Sequence, residues 1–511
     1  MAARQRRRAA GKRSFLASAL DFVERAGNRL PHPIILFAFL AGLVLIVSWV
    51  AALLGIGVGH PVTGKRIAAV NLLDRQGLQN IVTKAVTNFT GFAPLGTVLV
   101  AMLGVGVAER SGLFSAALKG FIAAVPGWLI TTALVFAGIN ASLTADAGYV
   151  ILVPLGALLF NQVGRNPIAG LAAAFAGVSG GFSANIFLTP VDPLLAGLTQ
   201  EAARLYDSGY IVPVTANYYF MVASTFVLTL AGVWVNNRLV EPRLGPADAP
   251  RDDEPGALSA DERRGLAAAA IVLALEFALL LIATLPSGGM LRDTKGGLEP
   301  FFQGLVTLMA AGFLFLGLGY GFAAGTIKSE KDIGRMLEET MSTMGSYIAL
   351  AFAASQFVAY FGWSNLGLIL AISGADLLRA SGISGIPLLV LFIFVCALVD
   401  LVVASASAKW AVTGPVFVPM LMIMGYSPEL TQAAYRIGDS FTNIVTPLMP
   451  YMPLIIAFAR RYDRNFGLGT LLAIMLPYSV TFAIVWTALL AVWLLLGIPL
   501  GPGASLVYPP A

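Results

Sequence analysis

Apolar runs long enough to cross a lipid bilayer follow one another along almost the whole chain. The hydrocarbon core of a bilayer is about 30 Å thick, so a spanning helix needs about 20 apolar residues. Charged residues make up only 12% of the 511 residues, whereas they approach about a quarter in soluble domains. The sequence therefore predicts an all-α polytopic membrane protein. The apolar runs are 33–58, 93–108, 113–138, 149–160, 168–180, 217–235, 266–285, 301–324, 343–361, 386–403, 411–425, 444–459 and 468–499.

Several of these runs are too short, or too often interrupted by Gly and Pro, to cross the bilayer as one straight helix. Such segments in so apolar a chain indicate re-entrant hairpins or broken helices. Non-helical backbone survives at membrane depth only where protein or a wet cavity satisfies its N–H and C=O groups. The interruptions therefore predict a path for a substrate.

Polar segments divide the chain into two halves. Residues 1–30 contain the basic string RQRRRAAGKR, which predicts a cytoplasmic flank by the positive-inside rule and does not form a nucleic-acid module. The first apolar run is long enough to remain as a membrane helix. Residues 236–265 mix both charge signs with Pro and Gly and indicate a solvated loop. We therefore predict a first half over 31–235 and a second half over 266–511.

An internal repeat relates the two halves. GFSANIFLTPVDP at 181–193 shares Gly, Ser, Thr and two Pro at the same spacing with GDSFTNIVTPLMP at 438–450. GRNP at 164–167 matches GYSP at 425–428, and ASLTAD at 141–146 matches ASASAK at 404–409, in the same order. Three matched blocks predict a duplication of transporter type. The predicted hairpins span about 140–165 and 400–425, and the predicted broken helices about 180–193 and 436–450.

Charges inside apolar stretches are candidates for function, because a charge at the bilayer centre costs on the order of 3 kcal/mol or more unless it is paired or hydrated. Asp192 in the first break is predicted to carry a proton or cation, or to cap a helix. Arg436 and Asp439 share a helix face, so they pair or, alternatively, Arg436 binds a substrate carboxylate while Asp439 holds it or exchanges a proton. Asp400, before the second tip, pairs with Lys409 or serves the coupling ion.

Neutral side chains at the two tips are a second group of candidates. Trp410 offers a flat face to an aromatic substrate or a cation, or it anchors the chain at the membrane interface. Ser405 and Ser407 in one tip, and Ser142 and Thr144 in the other, are either packing hydroxyls or ligands of the substrate or coupling ion.

Hydroxyl and amide oxygens in the two breaks are suited to sodium or to a substrate. They belong to Ser183, Asn185, Ser440 and Asn443. In the aligned tips Asp146 stands opposite Lys409, a change of charge that predicts unequal halves, one favouring a cation and the other an anion. We expect the substrate to be recognised mainly by the second half and coupling to depend more on the first.

Three strings carry a resemblance to a known family: SASAKWA at 405–411, YRIGDSFTNIVTP at 435–447 and SGGFSANIFLTPVDPLLAGLT at 179–199. By these strings the chain resembles the AbgT family of p-aminobenzoyl-glutamate transporters over nearly its whole length. The resemblance implies a homodimer whose subunits have about nine transmembrane helices and two re-entrant hairpins in an inverted repeat.

The resemblance also implies a substrate and a set of functional positions. The substrate would be a p-aminobenzoyl-glutamate-like folate catabolite or a sulfonamide drug, moved by a proton or sodium gradient. One departure is Asp400, because an Asn is expected there in the family's motif, so this chain carries an additional titratable group. The implied functional positions are Asp192, Ser407, Trp410, Pro428, Arg436, Asp439 and Pro447.

Other interpretations remain open at this point. A sodium-coupled dicarboxylate carrier could use the same hairpins but would not need Trp410. A channel could also contain re-entrant loops, whereas an intramembrane enzyme is disfavoured because the only histidines, His32 and His60, form no HExxH motif. We therefore expect a homodimeric transporter of small molecules in the bacterial inner (cytoplasmic) membrane. It would be no enzyme, bind no nucleic acid and need no cofactor apart from a possible sodium ion.

Overall fold

The structure is a computed structural model that describes residues 33–59, 61, 64–123, 125–144, 148–245, 258–401, 403 and 405–509, without the side chains of 122, 123 and 144. Three sequence predictions therefore lie outside the described residues. They concern the basic flank 1–30, Asp146, and the side chain of Thr144.

Almost all of the described chain is helical. The described residues contain one β-sheet, an antiparallel pair of strands β1 (Gly57–Gly59) and β2 (Arg66–Ala68). The first ten helices are α1 (Pro33–Leu53), α2 (Arg75–Thr90), α3 (Ala93–Arg110), α4 (Leu113–Ala123), α5 (Ile130–Asn140), α6 (Val153–Gln162), α7 (Pro167–Phe175), α8 (Val191–Ala203), α9 (Tyr218–Val235) and α10 (Glu241–Leu244). The others are α11 (Ala260–Thr284), α12 (Glu299–Gln303), α13 (Leu305–Ala324), α14 (Glu330–Thr343), α15 (Gly345–Trp363), α16 (Leu366–Ser381), α17 (Gly385–Asp400), α18 (Ala406–Ile423), α19 (Pro428–Thr442), α20 (Met452–Ala459) and α21 (Leu468–Leu495).

The apolar helices of the described chain fall into two classes, those long enough to cross a membrane and shorter ones. Seven are long and apolar enough to cross a membrane, and α14 with α15, bent by 42°, forms an eighth if the pair is one span. Four shorter apolar segments, of ten to seventeen residues, are Gly127–Leu143, Gly148–Gln162, Pro167–Gly180 and Gly385–Asp400. These lengths confirm the polytopic α-helical class, while the number of about nine crossings stays a prediction.

Both halves contain the same order of short elements. In the first half α5 leads to tip 1 (described residues 141–144), a π turn (Gly148–Leu152), α6, a turn, α7, break 1 (residues 181–190) and α8. In the second half α17 leads to tip 2 (described residues 401, 403 and 405), α18, a turn, α19, break 2 (residues 443–451) and α20. The predicted hairpin ranges begin close to the tips, whereas the structure also places one apolar helix before each tip, α5 in the first half and α17 in the second.

The turns of the two halves lie at opposite ends of one long helix. The span Tyr218–Leu244 is 27 residues long, or roughly 40 Å at 1.5 Å per residue. Just before its first residue, Asn217 Nδ2 donates to the carbonyl oxygen of Glu429 in the second-half turn region at 2.8 Å. Near its end, Glu241 pairs with Arg165 of the first-half turn at 2.5 Å. The two halves therefore run in opposite directions.

The polar stretch 236–265, predicted as a loop, is helical at both of its described ends. Residues Asn236–Val240 form a π turn that continues α9 into α10, where the ion pair of Glu241 with Arg165 holds the end of the helix. After the undescribed segment, Ser259 and Glu262 form a reciprocal capping box that begins α11. Charged residues in this stretch therefore stabilise helix ends, Glu262 through a capping box and Glu241 through an ion pair.

Candidate functional site

One face of α19 carries the polar side chains of the candidate site. Gln432, Tyr435, Arg436 and Asp439 follow the i, i+3, i+4, i+7 spacing of a single helix face. All four are buried. Ser427 begins the helix, because its hydroxyl accepts from Leu430 N at 3.1 Å and Pro428 follows at the first position. A helix so polar and so buried must pack against other polar groups.

Arg436 meets Asp192, which α8 brings from the other half. Arg436 Nη2 lies 2.7 Å from Asp192 Oδ1, and both side chains are buried. The second carboxylate oxygen of Asp192 accepts from Thr189 N at 2.6 Å and from Thr189 Oγ1 at 2.9 Å. Asp192 therefore holds Thr189, which precedes α8, and pairs with Arg436, while the role predicted for it as a carrier of a proton or cation stays a prediction.

The predicted ion pair between Arg436 and Asp439 is wrong. Asp439 Oδ1 lies 2.5 Å from Lys409 Nζ, and the same ammonium contacts Asp400 Oδ1. Spacing of three residues places Arg436 and Asp439 on one face, but α8 and α18 supply each of them with a closer partner. The predicted contact between Asp400 and Lys409 is present.

These five charges form one buried cluster at the junction of both halves. Their side chains are between 0% and 7% exposed. Three are carboxylates and two are cations, so the cluster carries one excess negative charge when every group is ionised. Removing an ion from water costs several kcal/mol unless partners compensate it. An excess carboxylate at this depth is therefore a place for a proton or a cation.

Several polar atoms of the cluster have no hydrogen-bond partner among the described residues. They include Arg436 Nε, Asp400 Oδ2 and Asp439 Oδ2. Arg436 Nη2 also lacks hydrogen-bond alignment, although it lies close to Asp192. Buried polar groups are nearly always paired, so each such atom calls for an acceptor, a donor or an ion. Arg436 can donate to a further carboxylate, and the two carboxylates can accept a proton or coordinate sodium.

The breaks and tips touch one another beside this cluster. The backbone N–H of Ser183 in break 1 donates to Ser440 Oγ on α19, in the other half, at 3.2 Å. Ser142 of tip 1 donates to Asn185 Oδ1 of break 1 at 2.6 Å. Asn443 ends α19, and its side chain is also buried. The hydroxyl and amide groups predicted to act together are therefore brought together within each half and across the halves.

Trp410 is fully buried rather than open to a ligand. Its ring stacks on Tyr435 with a centroid distance of 4.3 Å and an interplanar angle of 24°. Its indole N–H donates to Thr199 Oγ1 at 2.8 Å. Such burial contradicts a role as an interfacial anchor. In this conformation Tyr435 covers one face of the ring.

Other predicted residues lie around the cluster or away from it. Ser405 caps α18 by accepting from Ala408 N at 3.4 Å, and its hydroxyl lies 3.4 Å from that of Ser407. Pro447 lies in break 2, beyond the end of α19. Pro428 begins α19, roughly 16 Å along the helix axis from Asp439 at 1.5 Å per residue. The structure therefore separates Pro428 from the charged cluster.

Sequence reasoning missed a buried carboxyl at that far end. Glu429 is 2% exposed, and its carboxylate accepts from the Tyr210 hydroxyl at 2.9 Å. Burial, and then the charge of Glu429, raises the pKa of Tyr210 in its loop, so the hydroxyl remains a donor. The spacing of Glu429 three residues before Gln432, on the same helix face, was a usable signal.

Sequence reasoning also missed five further residues. Four of them stack on Trp410 or belong to the hydrogen bonds that begin at its indole N–H, namely Thr199, Asn217, Gln432 and Tyr435. The fifth is Glu276, about two thirds of the way along α11, whose Oε1 has no partner among the described residues. Among the described residues, no group of three His, Cys, Asp or Glu side chains has the geometry to hold a metal ion.

The chain is similar to known transporters over nearly its whole length. Residues 18–508 match the AbgT transporter family. The p-aminobenzoyl-glutamate transport protein of Escherichia coli (strain K12) is 37% identical over 491 residues, which cover 96% of each chain.

Two solved structures have the same fold. The Alcanivorax borkumensis YdaH transporter, described as having an unusual topology, superimposes with a TM-score of 0.89 at 46% identity, covering 92% of this chain and 100% of its own. Neisseria gonorrhoeae MtrF, described with a class of antimetabolite efflux pumps, gives a TM-score of 0.89 at 46% identity and covers 95% of this chain and 99% of its own.

Proposed function

Because this chain belongs to the AbgT transporter family, we propose that it is a secondary active transporter of p-aminobenzoyl-glutamate-like folate catabolites, of sulfonamide drugs, or of both. It is a multi-pass protein of the inner membrane and a transporter rather than an enzyme. The proposed part is the substrate class and the coupling to a proton or sodium gradient.

The buried cluster of five charges is the observation that carries this proposal. Arg436 keeps an Nε–H without a partner among the described residues, which suits the carboxylate of a glutamate-like substrate. The pair with Asp192 holds the guanidinium between the two halves. A substrate carboxylate that competes for Arg436 would release Asp192, which links substrate binding to a carboxylate able to take up a proton.

The excess carboxylate supports coupling to a cation gradient. Asp400 and Asp439 share one ammonium, and each keeps an oxygen without a partner among the described residues. A proton or a sodium ion at these oxygens would neutralise the cluster. We propose that the coupling ion binds at Asp400 and Asp439, in the second half rather than in the first half as expected from the sequence, with Asp192 as the carboxylate that responds to substrate. Ser142, Asn185, Ser405, Ser407 and Asn443 are proposed as neutral ligands.

The experiment is flux into proteoliposomes under separately imposed gradients. We expect radiolabelled p-aminobenzoyl-glutamate, or a sulfonamide, to accumulate against its own gradient only when a proton or a sodium gradient is present. Vesicles with each gradient alone, with both, and with neither identify the coupling ion. Equal flux in all four conditions would disprove secondary active transport.

A sodium-coupled dicarboxylate carrier is the second candidate. It is favoured by the burial of Trp410 against Tyr435, since a covered ring is not by itself a sign of an aromatic substrate. Under this alternative, succinate would compete with p-aminobenzoyl-glutamate for uptake, and Trp410→Leu would spare succinate flux. Under our proposal succinate does not compete.

We also propose that the protein is a homodimer. Only 6% of the apolar window of α11 is buried within one chain, so this helix faces lipid or a second copy. Native mass spectrometry from mild detergent should then give twice the 53.6 kDa chain mass. A species of single mass at all detergent concentrations would contradict this proposal.

A further inference from the structure

A chain of buried hydrogen bonds begins at Trp410. The indole N–H is a donor only, and a buried indole needs an acceptor. Thr199 Oγ1 on α8 is that acceptor, at 2.8 Å. Thr199 belongs to the first half and Trp410 to the second, so this bond joins the arm of one hairpin to the helix that follows the break of the other half.

The chain continues through two amides. Thr199 Oγ1 lies 2.6 Å from Gln432 Oε1, which accepts its hydroxyl proton. Gln432 Nε2 donates to Asn217 Oδ1 at 3.0 Å, and Asn217 Nδ2 donates to the carbonyl oxygen of Glu429 at 2.8 Å. The Glu429 carbonyl can only accept, so it orients the Asn217 amide, which in turn orients Gln432 and directs its Oε1 to the Thr199 hydroxyl. The same hydroxyl also lies 2.7 Å from Leu195 O of its own helix. All four side chains are buried.

The same two helices carry the ion pair of the cluster. Thr199 follows Asp192 by seven residues on α8, and Gln432 precedes Arg436 by four residues on α19. Residues at these spacings share a helix face. The neutral contact of Thr199 with Gln432 therefore lies on the same helix faces as the ion pair, about two turns further along α8.

We infer that Thr199, Gln432 and Asn217 are positioning residues that orient Trp410, and through it α18 and the ring of Tyr435. This inference rests on the proposed transport function. Trp410 follows Lys409 directly in α18, so fixing the indole also fixes the helix turn from which Lys409 reaches Asp439. The binding that these residues influence is that of a substrate with an aryl ring and a carboxylate.

The first test removes one hydroxyl without changing the shape of the side chain. Thr199→Val should raise KM for p-aminobenzoyl-glutamate in proteoliposomes about tenfold with little change in kcat, because the indole N–H and Gln432 Oε1 lose their common partner. Thr199→Ser should restore KM to within about twofold. Thr229→Val is the matched control, since the Thr229 hydroxyl bonds only Thr225 O of its own helix at 2.7 Å.

The second test asks whether Thr199 acts through the indole. Trp410→Phe keeps a ring that can stack on Tyr435 but removes the N–H donor. In this background Thr199→Val should cause no further rise in KM, because the two changes remove one interaction. Full additivity of the two changes would overturn the inference.

The third test needs no substrate. With 5-fluorotryptophan incorporated, the ¹⁹F resonance of Trp410 is identified by its loss in Trp410→Phe. It should shift in Thr199→Val, return in Thr199→Ser and stay unchanged in Thr229→Val. An unmoved resonance overturns the positioning role even when flux changes. If the wild type carries no p-aminobenzoyl-glutamate, the proposed function fails, while the resonance still decides the positioning role.

Discussion

Lys409 sets the charge balance of the buried cluster at the scale of single residues. Its ammonium contacts Asp400 and Asp439 at once, so neither carboxylate has a cation to itself. A lysine is a compact charge on a flexible stem, and it can remain with one carboxylate when the other is neutralised. The Lys409 ammonium is therefore a counter-charge that Asp400 and Asp439 share.

Asp400→Asn should leave the protein folded and change its coupling. The substitution removes the excess negative charge, while Lys409 keeps its contact with Asp439 at 2.5 Å. We expect the thermal unfolding midpoint to be preserved and the dependence of flux on the coupling gradient, proton or sodium, to weaken, because the excess carboxylate that would take up the ion is gone. Flux against separate pH and sodium gradients measures this change.

Asp439→Asn is the comparison for that substitution. Asp439 contacts both Lys409 and the Tyr435 hydroxyl, so its neutralisation should abolish gradient-driven flux. A proton dependence of Asp400→Asn identical to that of the wild type would contradict the role of Asp400.

Arg436→Gln should destabilise the protein as well as stop transport. It leaves Asp192 as a buried charge without its cation, which typically costs about 3–5 kcal/mol. The double variant Arg436→Gln with Asp192→Asn removes both charges and should recover most of the lost thermal stability. It should not recover uptake of carboxylate substrates, because no guanidinium remains. Thermal unfolding and uptake are measured in parallel. Uptake of a carboxylate substrate by a stable double variant would show that Arg436 does not bind the substrate.

The sequence identified the charged residues but not all of their partners. A charge in an apolar run is visible because it is costly, which identified Asp192, Arg436 and Asp439. Helical spacing then gives the face on which a side chain lies, and it suggested the wrong partner for Arg436. The true partners come from α8 and α18, whose approach depends on tertiary packing that spacing within one helix does not contain.

Close helix packing positions the cluster at the scale of elements. A Cβ atom at Gly438 would lie 2.5 Å from Ile393 O and 3.1 Å from Ala397 N of α17. Only glycine permits this approach of α19 to the hairpin arm that ends at Asp400. The glycine therefore brings the carboxylates of Asp400 and Asp439 within reach of one ammonium.

Gly438→Ala should separate α19 from α17. The added methyl group meets backbone atoms, which cannot move aside as a flexible side chain can, and such overpacking costs about 1–3 kcal/mol. We expect a lower thermal unfolding midpoint and reduced flux. Gly42→Ala in α1 is the matched control, since nothing lies within 4 Å of its added Cβ, and alanine favours a helix. Equal behaviour of the two variants would contradict the packing argument.

The elements themselves were only partly predictable. Short apolar segments around Gly and Pro predicted broken helices, and the described chain is non-helical at 181–190 and 443–451. The extension of α9 through Asn236–Val240 could not be predicted from its polar sequence. It depends on Arg165, which is far away in sequence and pairs with Glu241 only after folding.

The opposite direction of the two halves governs function at the scale of the whole molecule. The first half supplies Asp192 to the cluster, and the second supplies Asp400, Lys409, Arg436 and Asp439. Substrate recognition is therefore expected to depend mainly on the second half. A duplicated fold whose halves run in opposite directions can expose one central site to either side of the membrane in turn.

Cysteine labelling should show the two turn regions on opposite sides of the membrane. Val163 lies in the first-half turn beside Arg165, and Ile211 lies in the loop that covers Glu429. Both side chains are exposed. In a Cys396→Ala background, Val163→Cys should react with a membrane-impermeant maleimide only from the cytoplasmic side, where Arg165, Arg238 and Arg243 belong by the positive-inside rule.

Ile211→Cys should react only from the other side, because the helix that separates the two positions is 27 residues long. The wild type is the control, since its one cysteine, Cys396, is 2% exposed and should not be labelled. The two positions would react from the same side if the halves ran in the same direction, because equivalent turns of a parallel duplication lie at the same end of the helices. That result would contradict the inverted arrangement of the halves. It would also contradict the argument that a single charged cluster is exposed to each side of the membrane in turn.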